Sequence, residues 1–248
     1  MHFVQIGAAA HQTETLFRWM AAEPSSPYQS VWQITQSSAQ PGEFRFIPDL
    51  SVHLVFDLSG LIDVEPFLIY TGMTYVDLDL PAGVELLGMQ FAVWEALRLR
   101  QESVNESAIY DVTIDIDWAH LIYFSILDAR NEDVEGEQLL EPLGDFRRWI
   151  DASLRKDFST HFFQLMAQTE TREALPYSER HERRLYRDLT GLSPTQFRRI
   201  VRFQNALQRI HAQGILNWDE YYDQAHFTRE FKEFTGLTPA AFLNRYRR

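Results

Sequence analysis

Along the first hundred residues, apolar positions come in short runs closed by turn-forming residues. Phe44-Arg45-Phe46-Ile47 stops at Pro48-Asp49, and Val52 to Leu58 stops at Ser59-Gly60. Phe67 to Tyr70 stops at Thr71-Gly72. Tyr75 to Leu80 alternates apolar residues with Asp77 and Asp79 and ends at Pro81-Ala82-Gly83, after which Val84 to Phe91 forms another run. Such runs, punctuated by Gly, Pro and Asp, predict antiparallel strands in a sandwich or barrel. The pattern changes near residue 108. A last strand is expected within Ile109 to Trp118, and from Ala119 the spacing is helical, with a polar acidic interruption from Asn131 to Gln138. Leu139, Leu143, Phe146, Ile150 and Leu154 then mark one helix face. From about 158 the chain reads as almost wholly helical. The expected class is α+β, divided as 1–107 β-rich, 108–157 helical connector and 158–248 all-α.

A single pattern occurs twice in the helical region. Arg184 to Phe197 and Arg229 to Phe242 share an Arg, a nearby aromatic, then Thr-Gly-Leu-(Ser/Thr)-Pro and a Phe three residues on. Gly191 and Gly236 each suit the left-handed conformation that closes a helix. Ser193 and Thr238 suit the N-cap of the next helix, with Pro194 and Pro239 at its first position, where a missing N–H costs nothing. Ser178 and Asp223 suit the N-caps of the two helices that precede these turns. Each unit is therefore helix, tight turn, helix. Between the units, Thr195 to Gln213 has an apolar stripe of Phe197, Ile200, Val201, Leu207 and Ile210 and a basic face of Arg198, Arg199, Arg202 and Arg209. About 19 residues at 1.5 Å each span roughly 28 Å. That is close to the ~34 Å of one DNA turn, so the units suit successive major grooves.

Composition sharpens this picture. The 248 residues have a formal net charge of -12, which by itself argues against a nucleic-acid partner. The charge is unevenly spread: residues 176–248 hold 13 Lys and Arg against 8 Asp and Glu, and residues 1–175 hold 10 against 27. A basic C-terminal module joined to an acidic remainder fits that asymmetry. There is no Cys, which excludes disulfides, thiolate metal sites and cysteine nucleophiles and is consistent with a cytoplasmic location. No signal-like N-terminus and no long apolar run point to a membrane.

Tyr221 to Phe231 followed by Thr235-Gly236-Leu237-Thr238-Pro239 resembles the second helix-turn-helix signature of the AraC/XylS family of transcription regulators. Ser178-Glu179-Arg180-His181 through Gly191-Leu192-Ser193-Pro194 is similar to the first, and Arg202 to Leu207 resembles the linker helix. The likeness covers roughly 158 to 248. It extends more weakly to a β-rich, cupin-like sensor domain through Val31-Trp32-Gln33-Ile34, Ile47-Pro48-Asp49 and Pro81-Ala82-Gly83. The family pattern maps Arg180, Arg183 and Arg184, and on the second helix Gln224, His226, Thr228 and Arg229, to base-facing positions. His181 and Arg187 share the first of these helices. Arg198, Arg199 and Lys232 suit phosphate contacts, which position without specifying. The sequence departs from the pattern at Glu182, where the family carries an apolar residue, and in the segments 170–177 and 214–220, which are poor supporting helices.

The resemblance implies a sequence-specific regulator whose partner is double-stranded DNA, with a small-molecule effector, an RNA polymerase contact and a second copy of the chain as further candidate partners. The alternative is a degenerate regulator acting through protein contacts without binding DNA. The aromatics Phe44, Phe46, Phe56, Phe67, Tyr70, Tyr75, Phe91 and Trp94 read as core before they read as a pocket. His2, His11 and His53 have no metal-ligand spacing, and His53 is expected to face solvent or a polar partner. There is no phosphate loop or nucleophile elbow, and Asp111, Asp115 and Asp117 read as a solvated face, so no catalytic residue, metal or cofactor is assigned.

Overall fold

The computed structural model describes residues 8–9, 15–21, 30–37, 39–62, 67–92, 108–111, 178–214, 216 and 218–246. Nine strands come first: β1 (Ala8–Ala9), β2 (Thr15–Ala21), β3 (Ser30–Gln36), β4 (Gly42–Phe46), β5 (Ser51–Asp57), β6 (Phe67–Tyr70), β7 (Val76–Leu80), β8 (Glu85–Ala92) and β9 (Ala108–Asp111). Four described helices follow: α1 (Glu179–Thr190), α2 (Pro194–Gln213), α3 (Gln224–Thr235) and α4 (Pro239–Tyr246). The strand runs expected from the sequence coincide with β4 to β8 to within a residue or two. The expected last strand is β9, which pairs with β6 just past residue 107. The proposed connector helix at 139–156 and Trp94 lie outside the described residues.

The strands form two antiparallel sheets, one of order β1-β4-β7 and one of order β2-β3-β8-β5-β6-β9. Phe44, Phe46, Leu78 and Leu80 of the smaller sheet meet Trp32, Ile34, Val55, Phe67, Ile69 and Leu86 of the larger in one buried cluster. The other face of the larger sheet carries Val52, Leu54, Phe56, Leu68, Tyr70, Leu87, Met89 and Phe91. These belong to the same buried cluster as Tyr186, Phe197, Phe203, Leu207, Phe231 and Phe234 of the helices. An antiparallel sheet commonly leaves one face in water. Here β5 is buried at every position, so both faces of the sheet are covered at this strand.

His53 belongs to a buried polar group in the β-domain that also includes Asp49, Ser51 and Gln90. It is fully buried, and its partners are polar side chains. The Trp32 indole N–H donates to His53 Nδ1 at 3.1 Å, and His53 Nε2 lies 3.3 Å from Asp49 Oδ2. An indole only donates, so Nδ1 carries no proton and Nε2–H faces the carboxylate. Asp49 also accepts from Gln90 and from the Ser51 amide. Of the two surroundings expected for this histidine, the structure shows the polar partner. A buried polar group without partners would cost several kcal/mol, and this network supplies them.

Trp32 is accommodated by Gly88, its register partner on β8. A methyl group at Gly88 would overlap the indole ring directly. Gly88→Ala is therefore expected to lower stability by about 1–3 kcal/mol through overpacking. Urea unfolding followed by far-UV circular dichroism measures this, and an unchanged midpoint would show that Trp32 repacks freely.

Candidate nucleic-acid interface

The repeated sequence folds into repeated geometry. Ser178 caps α1 by accepting from the His181 amide, and Asp223 caps α3 by accepting from the His226 amide. Both helices end on a left-handed glycine, Gly191 at φ 71° and Gly236 at φ 72°. Their amides donate to Arg187 O and Lys232 O. Thr190 and Thr235 play one role twice. Each hydroxyl donates to the carbonyl four residues back, at Tyr186 and Phe231, and accepts the amide two residues on, at Leu192 and Leu237. The next helix then starts at once. Ser193 and Gln196 form a reciprocal capping box on α2, and Thr238 accepts from the Ala241 amide on α4.

Superposing Thr190 on Thr235 pairs the outer faces residue by residue. Arg180, Arg183, Arg184 and Arg187 on α1 correspond to Ala225, Thr228, Arg229 and Lys232 on α3. In each helix these positions are spaced i, i+3, i+4, i+7 and form one stripe. All are exposed except Thr228, which is half-buried. The opposite sides are core: Tyr186 meets Phe197 edge-on, and Phe231 packs against Phe203 and Phe242. His181 and Gln224 are exposed at the leading ends of their helices. The outer stripe of α3 borders an open groove of about 790 Å3 lined by Gln224, Ala225, Thr228, Arg229, Lys232 and Glu233. Ala225 was not among the residues picked from sequence. Its signal is its alignment with Arg180 in the repeat.

The stripes differ in chemistry. The first is cationic at all four positions, and two of its arginines face carboxylates on the same helix: Arg183 with Glu179 and Arg184 with Asp188. These pairs are exposed and worth well under ~1 kcal/mol each, so they leave the guanidiniums free to exchange partners. The second stripe opens with Ala225 and Thr228, which suit a thymine methyl, before its two cations. His226 is displaced from it. Its ring lies edge-on to Tyr221, 5.5 Å between centroids, with Nε2 3.9 Å from Glu230.

The arginines of α2 face the two outer helices. Arg198 reaches Glu182 of α1 at 2.7 Å, which explains the acid found where an apolar residue was expected. Arg199 bonds Glu230 and Glu233 of α3, and Arg202 bonds Glu230 with three contacts. Glu230 is 3% exposed, and the two arginines are each 28% exposed. Burial alone would lower the Arg199 and Arg202 pKa values, but the bonds to these carboxylates outweigh it and raise both. Burial, followed by the nearby Glu230 charge, pushes the Tyr221 hydroxyl well above its ordinary range. Arg209, further along α2, pairs with Glu220 in the turn before α3. Among the described residues of 214–223 there is a turn and no helix, so α3 is supported by these ion pairs and by Tyr221 and Trp218 against Phe227. Segment 170–177 lies outside the described residues.

Residues 173–245 match the family model described as a helix-turn-helix domain. No curated protein matches the chain in sequence. Among solved structures, ToxT from Vibrio cholerae O395 is similar at 8% identity over 94% of this chain and 97% of that one, with a TM-score of 0.38. A second structure of ToxT from Vibrio cholerae is similar at 10% identity over 94% of this chain and 98% of that one, also with a TM-score of 0.38. Among the described residues no helix is long and apolar enough to cross a membrane, and no cluster of acidic or His residues has the makings of a metal site.

Removing one member of a mostly buried ion pair leaves the other charge stranded, a loss of about 3–5 kcal/mol when both are sealed from water. The partial exposure of Arg199 and Arg202 reduces this, so Glu230→Gln is expected to cost about 2–3 kcal/mol. Glu233→Gln, at an exposed position, is expected to cost under about 1 kcal/mol. Denaturant unfolding of both variants checks the ranking, and equal losses would show that burial of Glu230 does not matter.

Proposed function

We propose, from a C-terminal segment that is a helix-turn-helix domain of the AraC type, that this chain is a sequence-specific DNA-binding transcription regulator. Its reading elements are α1 and α3, laid in successive major grooves of one duplex face. The observation that carries this reading is the repeated outward stripe, 180-183-184-187 and 225-228-229-232, on two helices attached to one rod of 20 residues. Arg184 and Arg229 occupy the same place in both units, where bidentate contact to guanine O6 and N7 is the natural chemistry. Arg180 and Arg183 extend that readout on α1. Gln224 suits adenine, and Ala225 with Thr228 suits thymine. Arg187, Lys232 and Arg198 serve phosphates, as His181 does at the helix start. Arg199 is committed to Glu230 and Glu233 and acts on DNA only through the position of α3. The acidic β-domain takes the regulatory role, sensing a small molecule or pairing with a second copy of the chain.

The protein-contact alternative draws on one observation, the engagement of Arg183, Arg184, Arg198, Arg199 and Arg202 by carboxylates. The two readings separate in a selection from random duplexes with the full chain. DNA reading yields an enriched two-part site whose affinity falls steeply with salt. No enrichment at low salt would favour the alternative.

On the enriched site, Arg184→Ala is expected to lose about 1–3 kcal/mol and to leave affinity for unrelated duplex nearly unchanged. Lys232→Ala is expected to weaken all sequences alike and to reduce the salt slope by about one. Gel-shift titrations at several salt concentrations measure both. Uniform weakening by Arg184→Ala would reassign that residue to a phosphate.

A further inference from the structure

The last carbonyls of a helix have no partner within it and must find one elsewhere. In both units the threonine before the closing glycine hands its carbonyl to the β-domain. The Tyr70 hydroxyl, at the end of β6, donates to Thr190 O at 3.1 Å. Arg45, on β4, donates from Nη1 to Thr235 O, also at 3.1 Å. Thr190 and Thr235 are the equivalent residues of the repeat, so two unrelated side chains from two different sheets grip the same atom twice. Between these grips, Gln204 in the middle of α2 donates to Pro48 O at the β4–β5 corner, at 2.6 Å. Tyr70, Gln204, Thr190 and Thr235 are all buried.

The second grip is built into the backbone. Gly236 has φ 72°, which favours glycine, and a side chain there would displace Arg45 Nη1 and crowd the Tyr75 ring. Arg45 lies over the Tyr75 ring at 3.8 Å and is held by two bonds to Asp77, its register partner on β7. A guanidinium at a helix C-terminus also meets the negative end of the helix dipole.

We propose that the β-domain is a spacing brace. By holding the equivalent turn carbonyl of each unit, Tyr70 and Arg45 fix the separation and angle of α1 and α3, and so determine which half-site spacing the protein accepts. The grips lie at the helix C-termini and leave 180-183-184-187 and 225-229-232 exposed. That geometry makes them a brace compatible with bound DNA and not a cover over the reading faces. At the α1 end the ion pair to α2 among the described residues is Arg198 to Glu182, with Arg198 54% exposed, so the bond from Tyr70 adds a buried tie there. A change of shape in the β-domain would then reach DNA as a change in spacing preference.

This inference rests on the DNA-reading proposal, and the test separates the two. Full-length protein, Tyr70→Phe, Arg45→Met and the double variant are titrated against enriched sites whose halves are moved apart or together in single base-pair steps. The intact chain is expected to prefer one spacing, and the double variant to lose about tenfold of that preference while binding an isolated half-site as before. Asp77→Asn weakens the two bonds that hold Arg45 in place, so it is expected to lose part of the spacing preference, between the intact chain and Arg45→Met. Hydrogen exchange of the free proteins gives a second reading without DNA. Tyr70→Phe should speed exchange at the 190–193 turn and Arg45→Met at the 235–238 turn, each leaving the other turn alone. An unchanged spacing profile with unchanged exchange overturns the brace. Failure of the intact protein to bind any duplex overturns the DNA-reading proposal, and the exchange data then decide the brace by themselves.

Discussion

A carboxylate almost sealed from water, Glu230 on α3, meets two guanidiniums from α2, and the attitude of α3 follows from that meeting. A lone buried carboxylate would be expelled or neutralised. Arg199 and Arg202 hold it in place, each lying over an aromatic ring, Phe234 and Tyr221 respectively. The geometry is demanding, because Glu230 takes bonds from both arginines at once. Such pairs fix orientation more than they add stability, since desolvation consumes most of the attraction. Here the element whose orientation matters is the one with the outward stripe of Ala225, Thr228, Arg229 and Lys232. The described residues of 214–223 form a turn and no helix, which makes the ion pairs more consequential for α3.

Much of this architecture was legible in the chain. Turn residues at both ends of β4 to β8 revealed strands whose bounds the structure keeps to within a residue or two. The Thr-Gly-Leu-(Ser/Thr)-Pro repeat revealed caps down to individual residues, because capping is local chemistry that needs no tertiary information. The roles of the α2 arginines were not legible. Helical periodicity places Arg199 and Arg202 off the apolar stripe, and it cannot tell water from a carboxylate on a neighbouring helix. His53 was ambiguous for a related reason. Alternation along β5 marks two faces, but the sequence does not say that both are covered. The fit of Trp32 over Gly88 depends on strand register, and register between β3 and β8 is set by residues far apart in the chain.

The contacts of Tyr70 and Arg45 lie beyond sequence reading altogether. Their partners are backbone carbonyls, which every residue carries, so no residue type announces them. What the sequence does contain is the repeat, and the repeat gives these contacts meaning. Two separate hydrogen bonds to arbitrary carbonyls would be ordinary packing. Two bonds to the same carbonyl of a duplicated turn describe a body that touches both units at one homologous point.

The two units are held unequally, and the inequality has a direction. The second unit is tied to α2 through a carboxylate 3% exposed with two arginines on it, and to the β-domain through a charged donor beside a left-handed glycine. Among the described residues the first is tied to α2 by a pair whose arginine is 54% exposed, and to the β-domain by a neutral hydroxyl. Charge-assisted and buried bonds hold geometry more firmly than neutral or solvated ones. The second unit, with the more deeply buried charged ties, is the one whose outer stripe opens with the short side chains Ala225 and Thr228, and the first, with the more solvated ties, has a stripe of four long arginines. Under the proposed reading a short group meets a base only where its backbone is already placed, so firm ties and short side chains belong on the same helix.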